Sequence, residues 1–237
     1  NGNVSNSTNA VEAKQEHWMK WMWNAVASYN FEIGRHRGDA MVGMELNRQD
    51  NRWFSGKRYD FAVLNPDYMW PDAGVGEEKA YGCADGFSLV SFFGKVNYTY
   101  ADRYLASFTI RRDGSSRFGK NNKYGTFPSF SAGWRISNEK FMERTHFWLN
   151  DLKIRGSIGL LGNDDVAAYS FLSTYSFGAN RVIGGNTVSS LYTSGVPNPN
   201  LSWAKTRSSN VGFDATLWDG KLGLSFDWFY NLNYDIL

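Results

Sequence analysis

The sequence is short of cysteine, proline, net charge and long apolar runs, and each shortage excludes a class of protein. One cysteine among 237 residues, Cys83, excludes a disulfide framework and any site built from several thiolates. Five prolines and 24 glycines without a Gly-X-Y period exclude a collagen-like fibre. A formal net charge of +2 without a basic run disfavours nucleic-acid binding. The longest apolar stretch, 18–26, is interrupted by Lys20 and Asn24, so no membrane helix of roughly 18 residues is predicted.

Aromatic residues are plentiful, at 17% of the chain, although the mean hydropathy is only −0.46. A disordered chain would be poor in aromatics. The N-terminus, 1–10, is rich in Asn, Ser and Thr and shows no signal-peptide pattern, so we expect either a chain without its leader or a section of a longer protein.

The position of the apolar residues explains this combination, because they alternate with polar ones. In the last segment every even position is apolar: Leu222, Leu224, Phe226, Trp228, Tyr230, Leu232, Tyr234 and Ile236. Successive side chains of a strand point to opposite faces, so this pattern predicts a strand with one apolar and one polar face. The same alternation predicts eight strands, at 19–34, 39–54, 88–101, 103–113, 125–137, 150–162, 201–217 and 221–236.

Short connections alternate with long ones along these strands. The long connections are 55–87, 114–124 and 163–200, whereas the others are compact. Short turns at one end and long loops at the other are typical of outer-membrane barrels. A soluble carbohydrate-binding β-sandwich would also alternate, but sandwich strands usually run about 5–6 residues and several strands here alternate over more. Aromatics near strand ends, such as Tyr100, Tyr104 and Trp134, further favour a membrane barrel with interfacial girdles.

Particular segments resemble the barrel core of SusC/RagA-type TonB-dependent transporters. The first is Ser91-Phe-Phe-Gly-Lys-Val-Asn-Tyr-Thr-Tyr100, and the second runs from Ala101 to Gly119 and ends in Arg111-Arg-Asp-Gly-Ser-Ser-Arg-Phe-Gly119. The others are Gly125-Thr-Phe-Pro-Ser-Phe-Ser-Ala-Gly-Trp-Arg-Ile-Ser137, 150–163 and 227–237. The resemblance covers about residues 20 to 237 and is specific after 87. It implies an all-β, antiparallel up-and-down transmembrane β-barrel, here a partial wall of about eight strands.

The resemblance also implies a function and partners. Members are outer-membrane proteins of Bacteroidetes-type bacteria that import oligosaccharides, or in some cases peptides, with energy relayed by the TonB complex. A SusD-like surface lipoprotein closes over the barrel, outer-membrane lipid surrounds it, and a plug fills its lumen. Large transporters of this kind have about 22 strands. We therefore expect residues 1–237 to be part of one barrel domain whose plug, TonB box and remaining strands are absent here.

No motif in the chain predicts an enzyme, a cofactor or a metal site. Gly114-Ser-Ser-Arg-Phe-Gly-Lys-Asn121 matches a phosphate-binding loop except at Asn121, and a strand rather than a helix should follow, so we interpret it as a basic, flexible outer loop. Asn163-Asp-Asp165 could bind calcium, but an Asx turn is the simpler interpretation. The three histidines are far apart in the sequence and have no ligand-spaced partners.

The long loops carry the residues that we expect to contact substrate. Aromatic rings stack on sugars, and neighbouring Asn and Asp side chains bind hydroxyl groups. The candidates are Tyr59, Tyr68, Trp70 and Tyr81 in loop 55–87, and Tyr175 and Tyr192 in loop 163–200. An alternative left open by the sequence is that these rings pack the loops against each other or against the lid protein.

Overall fold

A computed structural model describes residues 9–235, apart from the side chains of Ala179 and Ser194. It contains ten antiparallel strands: β1 (Ala10–Ile33), β2 (His36–Tyr59), β3 (Glu78–Tyr100), β4 (Tyr104–Ser115), β5 (Tyr124–Arg135), β6 (Leu149–Asn163), β7 (Thr174–Ile183), β8 (Asn186–Ser194), β9 (Ala204–Leu217) and β10 (Leu222–Tyr234). Short 3₁₀ turns cover Pro66–Tyr68, Pro71–Ala73, Ile136–Asn138 and Lys140–Thr145. Within the described residues, no helix is long and apolar enough to cross a membrane.

Eight strands form one sheet in the order β1-β2-β3-β4-β5-β6-β9-β10, and β7 pairs only with β8. This confirms the predicted eight-stranded wall and is not the two packed sheets of a sandwich. Neighbours in the sheet are also neighbours in sequence, except that β9 follows β6. By compactness the described chain divides into residues 9–21 with 48–87, and residues 22–47 with 88–235.

The first three strands are longer than the alternation of apolar residues predicted. β1 and β2 have 24 residues each and β3 has 23. Backbone pairing continues into polar sequence because a ladder needs hydrogen bonds, not apolar side chains. The predicted loop 55–87 therefore shrinks to 60–77. The later boundaries agree within three residues, and Ile236, the predicted end of the last strand, lies outside the described residues.

The strand register separates an apolar face from a polar face. Directly opposed positions on β3, β4, β5, β6, β9 and β10 form an apolar row of Tyr100, Tyr104, Trp134, Ile154, Phe213 and Phe226. A second row contains Val96, Phe108, Phe130 and Ile158. These large side chains are exposed, Phe226 by 55%. A contiguous apolar surface of this kind indicates contact with lipid or with another protein.

An aromatic belt of four rings lies at the short-turn end of the apolar face. The His36 and Tyr100 ring centroids are 4.9 Å apart, and the Tyr100–Tyr104 and Tyr104–Trp134 pairs are each 6.4 Å apart. Glu139, in the β5–β6 turn, accepts hydrogen bonds from Tyr104 Oη at 2.7 Å and Trp134 Nε1 at 3.1 Å. The belt contains Tyr100, Tyr104 and Trp134, the rings expected to form a girdle, and the polar atoms of Tyr104 and Trp134 share one carboxylate as acceptor.

A buried cluster of three aromatic rings and a leucine joins the β4–β5 loop to the segment before β9, at the opposite end of these strands. Phe118, Phe127, Leu201 and Trp203 are each at least 93% buried, and the Trp203 ring lies 5.1 Å from Phe118 and 5.3 Å from Phe127. The β4–β5 loop is therefore packed, contrary to the flexible outer loop expected for 114–124. Its apolar Phe118 is buried, whereas its Lys120 and Lys123 are exposed.

The predicted loop 163–200 contains the β7–β8 hairpin, which the sequence interpretation missed. The two strands are joined by Gly184 and Gly185, both at positive φ (61° and 82°). Glycine adopts this left-handed conformation without steric cost, and two such residues form the tight turn that suits the twist of a hairpin. A Gly-Gly pair between two β-rich segments is the signal that identifies such a hairpin from sequence.

Candidate functional site on the polar face

An arginine on the polar face connects three strands. Arg155, on β6, binds Asp214 on β9 through Nε (2.9 Å to Oδ2) and Asp227 on β10 through Nη1 and Nη2 (2.6 and 2.7 Å). Ser225 donates to Asp214 Oδ1 at 2.8 Å. The planar guanidinium presents its N–H donors in a fixed fork, which only arginine provides, and so holds two carboxylates in defined positions. The polar face presents an ordered charged network at this level of the sheet.

A second arginine orders the part of the polar face nearer the long loops. Arg111 Nε lies 2.7 Å from Asp113 Oδ1, and its Nη2 donates to Ser91 Oγ at 2.9 Å. Ser91 and Asp113 are almost fully buried, and the Arg111 guanidinium carbon lies 5.8 Å from the centre of the Phe93 ring. Burial of polar groups is tolerated here because each is paired. This network lies in Arg111-Arg-Asp113, within the motif that carries the resemblance.

Around Arg155, the polar face forms an open concavity of about 520 Å³. Its polar lining comes from β2, β3, β4, β5, β6 and β9: Asp39, Asn97, Ser107, Ser131, Lys153, Arg155, Ser157 and Asn210. Asn97 Nδ2 donates to Asp39 Oδ2 at 2.8 Å. Hydroxyl, amide and charged groups in this arrangement can exchange hydrogen bonds with a polar solute or with water. Sequence reasoning did not single out these residues, although they are the polar positions of the alternation.

The predicted substrate-contacting aromatics fall into two separate groups. Tyr59 ends β2, Tyr81 lies on β3, and Tyr68 and Trp70 lie in the intervening loop. Tyr59 is therefore part of a strand, with the Lys57 and Lys79 ammonium groups 5.1 and 5.3 Å from its ring centre. Tyr68 and Trp70 are about two-thirds exposed.

The remaining two candidates lie on the hairpin. Tyr175 is on β7 and Tyr192 on β8, exposed by 64% and 55%. All six rings are therefore on strands or in the connections between them, and their contact with substrate stays a prediction.

Two sequence motifs that could have bound ligands have structural partners instead. Asp165 N donates to Asn163 Oδ1 at 2.9 Å, which is the Asx turn expected as the alternative to calcium binding. Asp164 Oδ2 accepts from Ser115 Oγ, and its carbonyl accepts from Arg117 Nη1 at 3.0 Å. The loop resembling a phosphate-binding loop leads into strand β5 rather than a helix. Within residues 9–235, no group of three or more potential metal ligands is clustered.

Comparison with known proteins identifies this architecture. A sequence profile described as "TonB dependent receptor-like, beta-barrel" matches residues 1–237. The chain belongs to the TonB-dependent receptor β-barrel family. That family consists of transport receptors rather than enzymes. The membership of this chain in the family agrees with the resemblance found in the motifs from 91 to 163. It also identifies the eight-stranded sheet as part of a barrel wall.

Curated relatives and solved structures support the same family. The chain is 33% identical over 211 residues to TonB-dependent receptor P3 of Formosa agariphila, and 33% identical over 219 residues to TonB-dependent receptor SusC of Bacteroides thetaiotaomicron. These alignments cover 89% and 91% of this chain but 21% of each relative. The structure of the RagAB peptide transporter superposes with a TM-score of 0.88 at 24% identity, covering all of this chain and 26% of that one. The last similarity shows the fold alone.

In a TonB-dependent receptor barrel, the two faces of the wall acquire distinct environments. The apolar rows and the aromatic belt have the character of a lipid-facing surface with an interfacial girdle. The polar face, with the Arg155 network and the 520 Å³ concavity, has the character of a lumen wall. The alternation predicted this separation, but it could not predict which polar residues pair, because pairing depends on strand register.

Proposed function

We propose that this chain is a section of the barrel wall of an outer-membrane, TonB-dependent nutrient importer of the SusC/RagA type. The observation that carries the proposal is the two-faced sheet. One face exposes apolar rows bounded by an aromatic belt, and the other presents paired charges around an open polar concavity. A wall with these faces separates lipid from a water-filled path.

The rest of the importer lies outside this section. Residues 1–237 form part of one β-barrel domain, and the chain spans about a fifth of the length of the curated relatives that it matches. The plug, the TonB box and the remaining strands belong to the other parts of the protein. TonB would supply energy through the plug side, and a SusD-like lipoprotein would meet the long loops.

Oligosaccharides are the substrate class that the long loops favour. Tyr68, Trp70, Tyr175 and Tyr192 present exposed ring faces, which stack on sugar rings, among Asn, Asp and Ser side chains that bind hydroxyl groups. The resemblance of the motifs at 91–163 to SusC/RagA-type transporters implies the same class. The structural neighbour RagAB is a peptide transporter, so peptides are the second candidate.

An uptake experiment with the full-length importer tests this function. Cells expressing it would receive a fluorescent oligosaccharide or a fluorescent peptide, with and without an intact TonB system. We expect TonB-dependent accumulation of the oligosaccharide. Accumulation of the peptide alone would mean that peptides are the substrate class. Equal uptake with and without an intact TonB system would overturn the proposed importer.

A pair of variants tests the contribution of the loops. Trp70→Ala with Tyr175→Ala removes one exposed ring from each group and should reduce oligosaccharide uptake. The matched control is Phe141→Ala, which removes a ring of similar exposure, 65%, in the β5–β6 turn. An equal reduction in both would contradict a role of the loop rings in capture.

A further inference from the structure

The polar face carries three recesses that are linked by shared residues. The 520 Å³ concavity shares Asp39, Asn97 and Thr99 with a neighbouring recess of about 370 Å³. That recess in turn shares Thr99, Glu32 and Arg37 with a third one of about 450 Å³. These shared residues link the three recesses in a row, here called the polar track, along the wall from the Arg155 network to the short turns.

The third recess, here called the rim recess, is strongly basic. Its lining includes four cations (Arg35, Arg37, Arg103 and Lys140) and two carboxylates (Glu32 and Asp102), together with Thr99, Gly34 and Ala101. Its walls are the β1–β2 and β3–β4 turns with the start of the β5–β6 turn. Three alternate connections of the sheet therefore bring basic side chains from distant parts of the sequence to one place.

The carboxylates near the rim recess do not neutralise all of these cations. Arg103 binds Glu139 at 3.2 Å, and Asp102 is paired with Arg135 at 3.3 Å. Arg37 lies 3.5 Å from Glu32, but both side chains are more than 60% exposed, and such a pair is weak. Across the described residues, Arg35 and Lys140 have no ion-pair partner. Two uncompensated positive charges thus face a recess that also contains the Thr99 hydroxyl.

We propose that the rim recess is an anion-binding site for a solute that carries a carboxylate or phosphate group. Guanidinium groups bind both oxyanions through paired N–H donors, and the Lys140 ammonium adds a point charge at the rim. The polar track connects the site to the concavity on the same face. Anionic solutes would therefore leave the polar face at its short-turn end, past this site. The inference rests on the proposed importer only for the route by which the anion arrives.

Direct binding by the full-length protein in detergent tests the site without any transport. The probe is inorganic phosphate at low ionic strength, followed by the ³¹P linewidth. We expect saturable broadening that weakens about five- to tenfold in the Arg35→Gln/Lys140→Gln variant, because two exposed charge contacts are lost. Within the described residues, no hydrogen bond or ion pair joins the Arg35 or Lys140 side chain to Glu139 or to the aromatic belt, so the barrel should remain folded, as heat-modifiable migration on gels would show.

The matched control removes the same two charges elsewhere. Lys120→Gln/Lys221→Gln changes the net charge equally, at exposed positions in the β4–β5 loop and the β9–β10 turn. Wild-type affinity in this control and reduced affinity in the rim variant would support the site. No saturable binding by the wild type, or equal loss in both variants, would overturn it. Displacement of phosphate by added glutarate would show that the site also binds carboxylates. TonB-dependent uptake tests the proposed importer and is a separate measurement.

Discussion

Arg155 on β6 binds Asp227 on β10 across the intervening strand β9. The two bonds, 2.6 and 2.7 Å long, form a bidentate pair between strands that are not neighbours in the sheet. Gly212 is the residue of β9 directly opposed to both Arg155 and Asp227. Because glycine has no side chain there, the Asp227 carboxylate can occupy the space over β9 and meet the guanidinium.

Replacement of Gly212 by alanine should break this arrangement. A Cβ atom at this position would lie 2.5 Å from the Phe226 carbonyl oxygen and 2.7 Å from Asp227 Oδ1. The carboxylate can rotate, but the backbone carbonyl can move only with its strand. We expect a destabilisation of about 1–3 kcal/mol, typical of overpacking. Urea unfolding of the full-length barrel in detergent, followed by tryptophan fluorescence, measures it.

Gly223→Ala is the matched control for this substitution. Gly223 is also on the polar face, on β10, and a Cβ atom there meets no atom within 4 Å. Alanine should be neutral or slightly stabilising at this position, because glycine weakens a strand. Similar losses in the two variants would show that crowding against Asp227 and Phe226 is not the cause.

The Arg155–Asp227 pair should show coupling in a double-mutant cycle. Arg155→Gln leaves the carboxylates of Asp214 and Asp227 close together without the guanidinium that binds both, so it should lower the urea midpoint. Asp227→Asn should partly restore the midpoint in the Arg155→Gln background, although it is destabilising alone. The effect should shrink in high salt, since all three side chains are partly exposed. Strictly additive effects of the two substitutions would contradict the coupling.

Glu139 should make the stability of the short-turn end depend on pH. The hydrogen bond donated by Tyr104, assisted by that from Trp134 and by the Arg103 charge, lowers the pKa of the Glu139 carboxyl group below its ordinary value. A carboxyl group with a lowered folded-state pKa stabilises the fold fully above its unfolded-state pKa of about 4.3. This stabilisation is lost as the pH falls through the folded-state value.

Thermal unfolding between pH 3 and pH 7, followed by near-ultraviolet circular dichroism, tests this dependence. We expect Glu139→Gln to be less stable than the wild type at pH 7, and we expect the difference to narrow as the pH falls through the lowered pKa of Glu139 and its carboxyl group becomes protonated. Glu143→Gln, an exposed carboxylate in the same turn, is the control and should keep the wild-type profile. A constant difference between Glu139→Gln and the wild type across this range would argue against an ionised Glu139 as the common acceptor.

The sequence predicted the repeating features of this wall but not its individual contacts. The alternation of apolar and polar residues predicted the eight strands and the two faces of the sheet, because every second side chain of a strand lies on the same face and shares its environment. The strand extensions at Ala10 and Glu78 were missed, since polar residues there pair through the backbone without an apolar pattern. Glu139 was missed because its partners, Arg103, Tyr104 and Trp134, are brought to it only by the register of β4 and β5. The motif 111–119 was recognised, but its Phe118 was not expected to be buried.

The buried cluster at the long-loop end should unfold separately from the wall. Phe118→Ala removes a ring that is 97% buried against Trp203, so we expect a loss of about 3–5 kcal/mol from the local packing of the loops. Strands β3–β5 are paired independently of this ring, so their hydrogen exchange should change little, whereas amides of 116–123 and 199–203 should exchange faster. Phe177→Ala on β7, a ring that is 80% exposed, is the control and should leave both regions unchanged. Equal acceleration of exchange in the wall and the loops would mean that the cluster holds the sheet itself together.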